Sequence, residues 1–177
     1  MSYYERRLPH WHPEGRDIFV TWRLCGSLPS AVLINLSKLK QDPGKQFIAA
    51  DRTLDLAKTG PRWLSDPRVA ECAEATISRG AELGQYLLHA YVVMSNHVHL
   101  LIEPRVPLRR ITAGIKGVSA KEANAILGRK GQPFWQSESF DHWVRNQAQF
   151  ERVRRYIENN PVTAGLARRA EDWPWSS

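Results

Sequence analysis

The chain has 177 residues, 42% hydrophobic and 24% charged, a balance that predicts one globular domain with its own core. Lys and Arg number 25 against 18 Asp and Glu, and the net charge of +7 favours a polyanionic partner. Cys25 and Cys72 stand outside any C-x-x-C spacing, which excludes a disulfide framework or zinc knuckle. No apolar run approaches membrane-spanning length and no apolar leader opens the chain, so a cytoplasmic protein is expected.

In chain order, 17–24 (DIFVTWRL) reads as a strand, with Ile18, Val20, Trp22 and Leu24 on one face and Thr21 and Arg23 on the other. Helices are predicted over 30–40 (Val32, Leu36, Leu39) and 45–58, where Phe47, Ala50, Leu54 and Ala57 share a face and Gly60-Pro61 stops the run. Asp66-Pro67 opens a third helix whose stripe is Val69, Cys72, Ala73 and Ile77. Two strands, 86–94 and 97–103, are separated only by Ser95-Asn96 and should form a tight hairpin.

A helix over 108–127 follows, weakened by Gly114 and Gly117, which invite close approach of something such as a nucleic-acid backbone. One or two strands are expected over 134–144. A last helix begins at Asn146, with Gln149 three residues on as in a capping box, and should end before Pro161. Residues 161–177, with Trp173 and Trp175, form a tail packed on the body of a single 1–177 domain. This order predicts an α+β fold, an antiparallel sheet with helices packed on one side.

Two segments carry chemistry. Side chains two apart in a strand point the same way, so His97 and His99 share one face while Val98, Leu100 and Ile102 turn to the core. Paired imidazoles on a rigid strand make a clamp for a transition metal, although an H-x-H pair by itself is more often structural. In the last helix Phe150, Val153 and Ile157 form the buried stripe. Tyr156 lies at its edge and Asn160 falls one turn later, able to present a nucleophile and an oxygen ligand together. The spacing alone better fits a boundary tyrosine with an asparagine placed before a proline. Lys116, Arg145, Arg152, Arg154 and Arg155 offer phosphate contacts, or a solvated helix face.

The segments LPHWHPEGRDIFVTWRLCGSLP, GPRWLSDPRV, VVMSNHVHLLIEP, FWQSESFDHWVRN, RRYIENNPVTAGL and DWPWSS, in this order, resemble the single-tyrosine HUH transposases (IS200-like). Within that family they resemble the REP-associated tyrosine transposases of bacteria. The resemblance implies a ferredoxin-like sheet, His97 and His99 as metal ligands with Asn160 completing the set, and a Mg2+ or Mn2+ ion. It implies Tyr156 as the nucleophile that nicks single-stranded or hairpin (REP-like) DNA through a 5′-phosphotyrosine, in a monomer or homodimer. A zinc hydrolase is the rival enzyme class, but His89 and His142 lack metal-site spacing. A domesticated, non-catalytic hairpin-DNA or RNA binding protein is the other alternative.

Overall fold

The computed structural model describes residues 2–5, 9–12, 15–38, 43–56 and 59–177. Strands β1 (Ser2–Glu5) and β2 (Pro9–His12) pair with each other, antiparallel. After them come β3 (Ile18–Arg23), α1 (Ser30–Lys38), α2 (Pro43–Leu56) and α3 (Pro67–Glu82). Then follow β4 (Tyr86–Val93), β5 (His97–Pro104), α4 (Leu108–Ile126), β6 (Phe140–Trp143) and α5 (Gln147–Thr163). The predicted ends of the first two helices at Leu39, Lys40, Ala57 and Lys58 lie outside the described residues.

The main sheet is antiparallel throughout, in the order β4-β5-β3-β6. The expected α+β, ferredoxin-like architecture is therefore present. One face of β3 and β5 (Ile18, Val20, Trp22, Leu24, Val98, Leu100, Ile102) meets Val69, Ala73 and Ile77 of α3 and Ile111 and Ile115 of α4. Each such side chain taken from water contributes roughly 1.5–3 kcal/mol. The packing of α3 on the sheet depends on Gly80, because a Cβ there would meet the Tyr86 ring at 2.5–2.8 Å.

The one-sided packing expected from element order is not what forms. Phe19, Ala90, Val92, Met94 and Leu101 make a second apolar face, covered by Phe150, Val153 and Ile157 of α5 and by Phe47 of α2. The burial of β5 announces this, since His97 to Ile102 are all buried without alternation. A strand at the centre of a sheet covered on both sides has no solvent face.

Helix α5 also departs from expectation at its end. It runs through the buried Pro161 to Thr163. Proline removes one N–H, but here that costs a single bond in the last turn. The true stop is Gly165, at φ 70°. Gly165 N–H donates to Val162 O (3.0 Å) and Leu166 N–H to Pro161 O (2.8 Å), closing the helix with a Schellman motif. At the other end Asn146 Oδ1 accepts from Gln149 N–H (2.9 Å), while the Gln149 side chain accepts from Arg145 N–H rather than from Asn146. The closing segment lies along β4: Val93 N–H donates to Trp175 O (2.8 Å) and Trp173 Nε1–H to Val93 O (3.0 Å).

Candidate active site

Strand β5 begins immediately after the Ser95-Asn96 turn and presents His97 and His99 on the α5 side of the sheet, both fully buried. Their Nε2 atoms lie 3.0 Å apart. Each ring is held from behind through Nδ1, His97 by Asn96 Oδ1 (2.7 Å) and His99 by Thr21 Oγ1 (2.7 Å). Both Nε2 atoms therefore face a common point, and other oxygens converge there. Asp51 Oδ1 is 3.3 Å from His99 Nε2 and 3.8 Å from His97 Nε2, and Asp55 Oδ1 is 3.6 Å from His97 Nε2. Asn160 arrives from α5 with Nδ2 3.4 Å from His99 Nε2.

The electrostatics of this cluster are unusual. Burial holds His97 down to about 3, and burial together with His97 lowers His99 well below the ordinary imidazole value. Both rings are neutral at pH 7, so their contacts with the carboxylates are not ion pairs. Burial, and then Asp55, pushes the Asp51 carboxyl up to about 8, and burial pushes Asp55 to about 6. Asp51 Oδ1, Asp55 Oδ1 and Asn160 Oδ1 are buried with no hydrogen-bond partner. Buried oxygens left without donors are costly, at roughly 1–3 kcal/mol per orphaned group. A cation or a proton relieves that cost. Asp51, His97 and His99 offer ligand atoms all within 4.8 Å of one another, a donor set that fits a divalent ion.

Tyr156 borders this cluster. Its ring meets the His99 ring edge-on (centroids 5.3 Å apart, 63° between planes) and packs against Phe19, while 36% of the residue remains exposed. His97, His99, Tyr156 and Asn160 thus lie together, a convergence that the resemblance implied and that the spacing within each segment left open. Asp51 and Asp55 were missed. Their signal was present: in α2 they stand at i, i+4 on the stripe shared by Phe47 and Leu54, two acids on an inward face.

The basic residues separate into two groups. Arg145, Arg152, Arg154 and Arg155 are exposed, on or just before α5. Arg154 pairs with Glu151 (2.9 Å), and Arg145 lies over the Trp143 ring (5.6 Å). Lys116 is on α4, whose buried side chains belong to the opposite face of the sheet. Its ammonium donates to Gln136 O (2.6 Å) and Ser137 O (2.9 Å), beside a groove of about 330 Å³ that Arg109 and Gly117 also line. A Cβ at Gly114 or Gly117 would meet nothing within 4 Å, so no part of the described chain is what approaches them. His142 lies 3.0 Å from Gln149 Nε2. His89, which showed no metal-site spacing in the sequence, is grouped with Asp17 and Glu103 in space.

The family described as "Transposase IS200 like" matches residues 57–160, more than half of the chain and the span that holds His97, His99, Tyr156 and Asn160. The chain belongs to the IS200-like transposase family. Asp51 and Asp55 of this transposase lie outside the matched span. The whole fold is similar to a REP-associated tyrosine transposase solved bound to a REP hairpin, with a TM-score of 0.59 at 19% identity, covering 99% of this chain and 82% of that one. A putative transposase from Deinococcus radiodurans R1 aligns over 88% of this chain and 98% of its own at 14% identity, with a TM-score of 0.39. No curated protein matches the transposase significantly. Among the described residues no helix is long and apolar enough to cross a membrane.

Proposed function

We propose that this transposase nicks and rejoins single-stranded or hairpin DNA of the palindromic-repeat type, with Tyr156 as nucleophile and a divalent ion held by His97, His99, Asp51 and Asn160. The observation that carries the reading is the set of buried acceptors, all lacking donors, directly beside a half-exposed tyrosine on a packed helix. His97, His99 and Asn160 are the ligands that the resemblance implies, and Asp51 adds an anionic oxygen. Such an ion, Mg2+ or Mn2+, supplies Lewis acidity toward a scissile phosphate.

The chain's own residues account for the rest. Phe19 and His99 hold the Tyr156 ring so that its hydroxyl has few orientations to lose on attack. Attack by the phenol oxygen joins Tyr156 to the 5′ phosphate at the break and breaks the P–O3′ bond; the phenol gives up its proton and the upstream strand leaves with a protonated 3′ hydroxyl. The phosphodiester bond energy is kept for rejoining, without ATP. Arg152, Arg154 and Arg155 of the same helix, Arg145 just before it and Lys116 on α4 are the proposed phosphate contacts. The working unit is a monomer or homodimer in the cytoplasm.

Two experiments test this. A single-stranded target labelled at its 3′ end should yield a labelled protein band that survives denaturation, and Tyr156→Phe should remove the band while keeping DNA binding. Nicking that persists in Tyr156→Phe makes water the nucleophile and ends the reading. For the phosphate contacts, the log–log slope of affinity against salt should fall by about one for Arg152→Ala and for Lys116→Ala. An unchanged slope returns that side chain to a structural role, which for Lys116 is capping the Gln136 and Ser137 carbonyls.

A further inference from the structure

Asn96 occupies a two-residue hairpin turn, where an asparagine usually serves the turn itself and meets solvent. This one is fully buried. Its Nδ2 donates to Leu54 O (3.0 Å), and its Oδ1 lies 2.7 Å from His97 Nδ1. The direction of both bonds follows from one fixed partner. A backbone carbonyl only accepts, so the amide nitrogen must face Leu54. The amide oxygen then faces the imidazole and only accepts, so His97 Nδ1 carries the hydrogen. A neutral imidazole has one N–H, which leaves the Nε2 lone pair aimed at Asp51, Asp55 and His99. The partner of His99 lacks this property, because the Thr21 hydroxyl both donates and accepts and so tolerates either tautomer.

The other end of Asn96 reaches α2 at Leu54, within the helical turn that carries Asp51 and Asp55. Among the described residues, Leu54 packs in a small separate cluster with Leu28, and Phe47, one turn before Asp51, sets its ring against Phe19 and His99. The Asn96 amide adds the hydrogen bond that fixes the following turn.

We propose that Asn96 is a positioning residue for metal binding: one buried side chain sets the tautomer of His97 and ties the carboxylate-bearing turn of α2 to the histidine-bearing strand. The assignment rests on the metal-binding reading above and adds to it the residue that keeps the ligand set in register. Outer partners of ligating imidazoles act in this way, and their loss lowers metal affinity about 10- to 100-fold.

The direct test needs no variant. In metal-free protein, two-bond 1H–15N correlation spectra of His97 should show Nδ1 protonated and Nε2 bare. The opposite tautomer overturns the assignment. In calorimetry with Mn2+, Asn96→Ala should lower affinity about 10- to 100-fold. Asn96→Asp keeps the acceptor and loses the donor to Leu54, so it should restore the His97 tautomer and part of the affinity. A folded Asn96→Ala with full affinity, or an Asn96→Asp as weak as Asn96→Ala, also overturns it. His97→Ala serves as the reference. If it leaves Mn2+ affinity unchanged, the metal-binding reading itself fails. If it abolishes binding while Asn96→Ala leaves Mn2+ affinity unchanged, only the role of Asn96 fails.

Discussion

Two His/carboxylate clusters lie along one face of the sheet, one at each end of strand β5, and they are built from similar residue types to opposite effect. At the start, Asp51, His97 and His99 are all buried. Toward the end, Asp17, His89 and Glu103 are half-buried, about 13 Å further along the strand at the usual rise per residue. His89 and Asp17 satisfy each other through a 2.8 Å contact, with side chains 20% and 30% exposed. The first cluster is less settled: Asp51 Oδ1 and, beside the cluster, Asp55 Oδ1 and Asn160 Oδ1 are orphaned, and both rings are held neutral by burial. Ligand types and proximity are therefore weak evidence for a metal. Burial together with unpaired acceptors sets the first cluster, which could hold a cation, apart from an ordinary surface contact.

The largest expected effect breaks the first cluster. His97→Ala or His99→Ala should weaken Mn2+ binding by more than the roughly 100-fold that loss of an outer partner costs, and should abolish cleavage with folding intact. Calorimetry decides it, and undiminished affinity in both variants would return the pair to a structural role.

Asp51→Asn should act next, and in two directions. Mn2+ affinity falls because an anionic oxygen is lost, yet the metal-free protein gains stability at alkaline pH. The sign follows from linkage. The Asp51 carboxyl stands at about 8 in the folded chain against an ordinary 3.8, so the folded state holds the extra proton between these values. Stability is then lost as pH rises from about 4 to about 8. His97 works oppositely: lowered to about 3 from 6.5, it costs stability as pH falls through that range. Thermal melts in EDTA from pH 5 to pH 8 should show the alkaline loss in the native protein and a flatter limb in Asp51→Asn. Mn2+ binding at pH 7 should release a proton from the native protein and less from Asp51→Asn, read as buffer-dependent heat.

The smallest expected effect belongs to the second cluster. His89→Ala should leave Mn2+ affinity and cleavage unchanged, and should alter stability by about 1 kcal/mol or less, as for other partly exposed pairs. A substantial fall in Mn2+ affinity would place a second ion there and dissolve the contrast.

The sequence by itself determined what local periodicity carries. A period of two put His97 and His99 on one face of β5 and Val98, Leu100 and Ile102 on the other, and a period of 3.6 set Tyr156 and Asn160 one turn apart beside the Ile157 stripe. Turn chemistry set the hairpin at Ser95-Asn96 and the cap at Asn146. The tertiary structure decided which surfaces meet. It brought Asp51 and Asp55 from α2 onto the histidines, turned Asn96 from a turn residue into a buried bridge, and covered both faces of the sheet where element order suggested one. The physical reason is range. Side-chain direction within an element follows from backbone geometry over a few residues. The partner that a buried polar group finds depends on packing between segments far apart in the chain, which no local pattern records.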